Sequence, residues 1–138
     1  MRQLPRLALS SALLAVALTP ASAAAKTGLF QSPTGNIGCY MSTSYVRCDI
    51  RFHDWASPPR PNWCDVDYGG GLDVGKRGRG SFVCAGDTAI DRTSPVLAYD
   101  KHRSAGRFTC WSRAEGMTCR NRNNGHGFFL SRQSYRRF

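Results

Sequence analysis

Three histidines, His53, His102 and His126, are the side chains whose type suits proton exchange near neutral pH. With arginines nearby to steady a charged phosphorane, such groups could serve a small secreted ribonuclease. Yet they lie far apart in the chain and no nucleophile motif accompanies them. No catalytic residue is assigned on this basis. A small secreted, ribonuclease-like hydrolase stands as the alternative reading, and a non-enzymatic protein is the leading one.

Other stretches offer weaker chemistry. Asp65-Val66-Asp67-Tyr68-Gly69-Gly70 begins like a calcium loop, but its fifth position is Gly69 and its twelfth is Lys76, where a bidentate glutamate belongs. It reads as a turn with solvated acids. Zinc needs free cysteines or clustered histidines, so no metal and no cofactor is expected. Arg77-Gly78-Arg79-Gly80 reads as a mobile loop. The stronger signal is the C-terminal third. From Lys101 to Phe138, nine Lys and Arg face Glu115 alone. Arg120, Arg122, Arg132, Arg136 and Arg137 lie there beside Phe128, Tyr135 and Phe138, a mixture suited to a polyanion. The partners implied are an anionic envelope polymer, an anionic lipid surface or extracellular nucleic acid. A protein partner anchored on Tyr40, Tyr45 and Trp111 is a further possibility.

The chain that positions these residues begins as an export signal. Arg2 and Arg6 precede the apolar run Leu7 to Leu18, and Ala21-Ser22-Ala23 is an A-x-A cleavage site. Cleavage is expected after Ala23, or else after Ala25, leaving 24–138 as one secreted domain of net charge +8 once the two leader arginines are lost from +10. No later segment is apolar enough to span a membrane. All six cysteines, Cys39, Cys48, Cys64, Cys84, Cys110 and Cys119, lie beyond the leader, and an even count in an exported chain reads as a disulfide framework.

An internal echo shows how they pair. Ile37-Gly38-Cys39-Tyr40 is followed by Val46-Arg47-Cys48, and Phe108-Thr109-Cys110-Trp111 by Met117-Thr118-Cys119, with equal cysteine spacing. If each unit is an antiparallel hairpin with its cysteines opposed, Ile37 faces Ile50 and Met41 faces Val46 on one apolar face. Tyr40, Tyr45, Arg47, Asp49 and Arg51 take the other face. The second unit is less clean, because Ser112 and Asn121 dilute its apolar side. The hairpins imply Cys39–Cys48 and Cys110–Cys119, and elimination then leaves Cys64–Cys84. Loop closure predicts about 2.7 kcal/mol for each short loop and about 3.3 for the longer one.

The rest is turn-rich. Trp55 to Pro61 carries three prolines and should run extended along the surface. Tyr68-Gly69-Gly70-Gly71 reads as a loop. Ser81–Cys84, Val96–Tyr99 and Phe128–Leu130 read as strands, the last after an Asn124-Gly125 turn. Ser131 could cap a short C-terminal helical turn that sets Tyr135 and Phe138 on one side. The predicted fold class is all-β, or nearly so: a small disulfide-stapled antiparallel domain with two cysteine-clamped hairpins.

Ser32-Pro33-Thr34-Gly35-Asn36-Ile37-Gly38-Cys39-Tyr40-Met41 with Val46-Arg47-Cys48-Asp49-Ile50, Phe82-Val83-Cys84-Ala85-Gly86-Asp87-Thr88 and Gly125-His126-Gly127-Phe128 to Arg132 resembles a family of small exported actinobacterial proteins known as a domain of unknown function. The resemblance runs over nearly all of 24–138. It implies an exported cysteine-rich domain and transfers no catalytic residue. One departure is Asp100, which stands after Leu97-Ala98-Tyr99 where glycine is expected.

Overall fold

The computed structural model describes Ala17 and residues 26–138. Apart from Ala17, the expected leader and both of its cleavage points lie outside the described residues. Ten strands form in chain order, β1 (Gly28–Gln31), β2 (Ile37–Met41), β3 (Tyr45–Ile50), β4 (Tyr68–Gly75), β5 (Ser81–Cys84), β6 (His102–Ala105), β7 (Phe108–Arg113), β8 (Gly116–Asn121), β9 (Gly127–Leu130) and β10 (Tyr135–Arg137). The described residues contain no helix. Strands β1 to β5 make one antiparallel sheet in sequence order, and β6 to β10 make a second in the same order. The echo between the hairpins is therefore an echo of architecture, two five-stranded meanders placed face to face.

The first hairpin has the register its alternation requires, with Ile37 opposite Ile50, Cys39 opposite Cys48 and Met41 opposite Val46. In the second, Cys110 lies opposite Cys119 and Ser112 opposite Met117. Disulfides join Cys39–Cys48, Cys64–Cys84 and Cys110–Cys119. The two hairpin disulfides meet at the centre of the core, where Sγ of Cys48 lies 3.7 Å from Sγ of Cys119. Around them pack Phe30, Met41, Val46, Leu72 and Val74 from the first sheet, and Phe108, Met117, Phe128 and Leu130 from the second. Each such side chain gains about 1.5–3 kcal/mol by leaving water. Asn121 is fully buried among them, and its Nδ2 donates to the carbonyls of Gly75 (3.2 Å) and Lys76 (3.3 Å).

Three expectations are corrected. Tyr68-Gly69-Gly70-Gly71 is the first half of β4, not a loop. Its pairing with β5 shifts register between Tyr68 and Leu72, and Gly69 has φ 86°. The run is a bulged strand. Gly71, opposite Asp49, is bare because a Cβ there would overlap the Asp49 carboxylate. Val96–Tyr99 contributes only a single bridge, from Val96 to Gln31. The chain then turns at Asp100, whose φ of 62° is the backbone conformation for which glycine is the ordinary residue. The C-terminal helical turn is not formed. The Ser131 hydroxyl accepts from the Ser134 N–H (3.0 Å) and donates to its carbonyl, closing a hairpin. Tyr135, Arg136 and Arg137 then pair with Leu130, Phe129 and Phe128. Pairing satisfies backbone groups along β9 that one helical turn would leave open.

The open edges of the sheets lie against each other. Lys26 N–H donates to the Ser104 carbonyl (3.0 Å) at one side, and Gly80 N–H to the Phe138 carbonyl (3.2 Å) at the other. Arg103 adds bonds to the carbonyls of Lys26 and Thr27, and Arg79 one to that of Arg137. Edge strands held this way offer little template for pairing with another chain.

Candidate polyanion-binding face

The three histidines occupy separate parts of the fold. His53 follows β3, with its ring stacked on Trp55 at 3.6 Å and its Nδ1 2.8 Å from the Trp55 carbonyl. Trp55 in turn packs edge-on against Tyr135 of β10. His102 opens β6, the opposite edge of that sheet. Four strand spacings, roughly 19 Å, separate the two edges. His126 sits in the β8–β9 turn, where its backbone bonds to Asn121 and to the Asn124 side chain. A two-histidine centre is not assembled from these positions.

The five C-terminal arginines also divide. Arg122 turns its guanidinium into the carbonyls of Phe108 (3.2 Å) and Gly106 and onto the Thr109 hydroxyl, tying down the β6–β7 turn. Arg137 lies over the Phe82 ring, its guanidinium carbon 5.2 Å from the centroid. Arg132 stands in the β9–β10 turn 3.4 Å from Asp54, an exposed pair that adds little stability. Arg120 and Arg136 are different, because both project from the outer face of the second sheet.

That face follows from alternation. Phe108, Cys110, Met117, Cys119, Phe128 and Leu130 point into the core, so the residues between them point out. Register then aligns His102 with Trp111, Trp111 with Thr118, Thr118 with Phe129, and Phe129 with Arg136. One straight row crosses all five strands. Trp111, Thr118 and Phe129 are half-buried, while His102 and Arg136 are exposed. Arg136 lies over the Phe129 ring at 5.3 Å, within cation–π range. Arg120 stands in the next row, between Thr109 and Gly127. Trp111 and Phe129 are two strands apart, about 9–10 Å. Tyr40 and Tyr45, tilted against each other with ring centroids 5.6 Å apart, belong to the first sheet, so the three aromatics expected to anchor a protein partner do not share a face.

A family model described as "Family of unknown function (DUF6636)" matches residues 8–138 of this sequence. The chain belongs to the DUF6636 family. No curated protein and no solved structure matches it.

In this DUF6636 chain part of the outer face of the first sheet is covered by the protein itself. Arg47 on β3 grips Asp49 through Nε (2.9 Å) and Nη2 (2.7 Å), and reaches the Asp87 carboxylate and carbonyl, both at 2.8 Å. Asp49 also accepts from Thr88 Oγ1 (3.1 Å) and the Ala89 N–H (2.8 Å). This clamp lays residues 85–90 across the sheet, with Ile90 resting on Gly38. Burial works against the Arg47 charge, but the hydrogen bonds it donates to Asp49 and Asp87 overcome it and raise its pKa. The same bonds lower that of Asp87.

Asp73 faces Arg47 from β4, and burial pushes its carboxyl up to about 6, with Arg47 opposing and Asp49 assisting. Between about pH 4 and pH 6 the folded state therefore holds a proton that the unfolded chain has released. Its stabilising contribution is complete below the ordinary aspartate value of about 4 and is lost as pH rises through about 6. Replacing Asp73 with asparagine is expected to stabilise the protein at pH 7 by about 1–2 kcal/mol, after allowance for solvent screening, and to change little at pH 4. Urea unfolding at the two pH values measures this; an equal gain at both would refute the assignment.

Proposed function

We propose that this protein is a non-enzymatic module, exported by a cleaved leader over 1–23 (or 1–25), whose remaining chain forms one disulfide-bonded domain. It binds an acidic polysaccharide of the cell envelope across the outer face of its second sheet. Three disulfides are compatible with an oxidising compartment. No helix of the described residues is long and apolar enough to cross a membrane. The observation that carries the reading is the row His102–Trp111–Thr118–Phe129–Arg136, with Arg120 beside it. Aromatic rings give a flat unit something to stack on, and flanking guanidiniums match its carboxylates or sulfates.

Heparin serves as the probe. The oxidised protein should be retained and elute only with added salt. Replacing Arg120 and Arg136 together with glutamine should move elution to clearly lower salt, because binding through fewer cationic contacts releases fewer counterions. Trp111→Ala should weaken binding about tenfold, as loss of one stacking contact of about 1–3 kcal/mol implies. Replacing Arg137 with glutamine should leave elution close to that of the parent. Elution indifferent to Arg120, Arg136 and Trp111 would remove the face from consideration. Tighter retention by single-stranded RNA or by anionic vesicles than by heparin would replace the polysaccharide with that ligand.

A further inference from the structure

A second basic feature lies at one end of the sandwich and shares none of the residues just named. The β1–β2 loop, the chain leaving β3, the β7–β8 turn and the β9–β10 turn surround a cleft of about 480 Å³. Arg51, Arg92, Arg113 and Arg132 reach it from four separate segments, and Glu115 is the lining carboxylate. Arg113 meets Asp100 at 3.3 Å and Arg132 meets Asp54 at 3.4 Å, both in exposed pairs that a bound anion could replace. Among the described residues, Arg51 and Arg92 form no ion pair. Asp100 and Asp54 balance two of these guanidiniums, so Arg51 and Arg92 set against Glu115 leave a small positive excess that a bound anion would offset.

The walls are held in place. The Asn36 side chain donates to the Phe52 carbonyl (3.0 Å) and accepts from the Phe52 N–H (2.9 Å), while the Asn36 carbonyl accepts from Arg51 N–H (2.9 Å). These bonds fix the backbone beneath a phenylalanine that is 62% exposed, with the Arg51 guanidinium 5.3 Å from its ring. Buried Gln31 likewise donates to the carbonyls of Arg92 (3.0 Å) and Ser94 (2.7 Å). Tyr99, 41% exposed, supplies a second ring to the lining. An exposed aromatic ring on a pinned backbone gives nothing to the core, but it offers a stacking surface that is set before a ligand arrives.

We propose that this cleft binds a small aromatic phosphate of the nucleoside monophosphate class. The phosphate lies among the guanidiniums, which can bind its oxygens in pairs. The flat ring lies against Phe52, the more exposed of the two lining rings. A cleft of this volume is of the size that holds a small molecule.

The test titrates the oxidised protein with adenosine monophosphate, inorganic phosphate and adenosine, followed by calorimetry and by amide chemical shifts. Adenosine monophosphate should bind at least about tenfold more tightly than either fragment, since charge-assisted hydrogen bonds and stacking then act together. Arg51→Gln and Arg92→Gln should each weaken it by about tenfold. Phe52→Ala should weaken adenosine monophosphate while leaving inorganic phosphate unchanged. These positions are exposed, so the variants should keep the parent's melting temperature, which a thermal melt checks. No binding at millimolar ligand, equal affinity for the nucleotide and inorganic phosphate, or affinity insensitive to all three substitutions would each overturn the proposal. Heparin retention is read on the same sample. Its persistence without nucleotide binding removes the cleft alone, and the converse removes the outer face alone.

Discussion

Replacing Arg47 with alanine is expected to lower the unfolding free energy by about 3–4 kcal/mol, the lower part of the range of about 3–5 kcal/mol seen when one member of a buried ion pair is removed. The Arg47 and Asp49 side chains are 14% and 8% exposed, so the variant leaves the Asp49 carboxylate shielded from water with only Thr88 and Ala89 as donors. Segment 85–90 loses its anchor at the same time, because both Arg47 bonds to Asp87 disappear. Urea unfolding gives the magnitude, and amide exchange should show residues 87–90 opening first. Arg47→Lys should recover only part of the loss, since an ammonium cannot fork between two carboxylates and a carbonyl. A loss below about 1 kcal/mol, the level of an exposed pair, would mean that the clamp is not formed.

The second large effect concerns the paired sulfurs of the core. Removing Cys110–Cys119 with a double alanine replacement is expected to cost about 4 kcal/mol. About 2.7 of that is loop-closure entropy, and the remainder comes from the vacated core volume. Both cysteines are fully buried and one touches the other hairpin's bridge, so the void falls between the sheets. Cys64–Cys84 closes a longer loop, worth about 3.3 kcal/mol by entropy alone. It lies outside the core cluster, however, and although Cys64 is buried, Cys84 is only half-buried, so its removal vacates less core volume. Measured stabilities should therefore rank the core bridge above the longer one, opposite to loop length. The reverse order, found by chemical denaturation of the two double variants, would show that entropy alone governs.

What could be read beforehand depended on whether the signal was local. The pairing of Cys39 with Cys48 follows from period-two alternation and a shared spacing, and both lie within twelve residues of chain. Cys64–Cys84 followed only by elimination. The glycine run in β4 misled because glycine marks loops and bulged strands alike, and what distinguishes them is the Asp49 carboxylate lying against Gly71. Strand β10 is three residues long with no apolar alternation, too short to declare itself against a helical turn. Among the arginines, composition exposed the excess but not its direction. Arg122 faces backbone carbonyls while Arg120, two residues earlier, faces solvent, a difference set by where β8 ends. Phe129 lay inside an apolar triplet whose outward member was unknowable without register. Arg51 and Arg92, neither in the C-terminal excess, converge only through loops that carry no periodic signal.

In this chain every sulfur bridge joins a cysteine to the next one along: first to second, third to fourth, fifth to sixth. A polypeptide oxidised while emerging amino end first thus meets each correct mate before any competitor is present. Thiolate exchange has no mistakes to repair. Maturation would need an oxidant, but no isomerase to reshuffle its links.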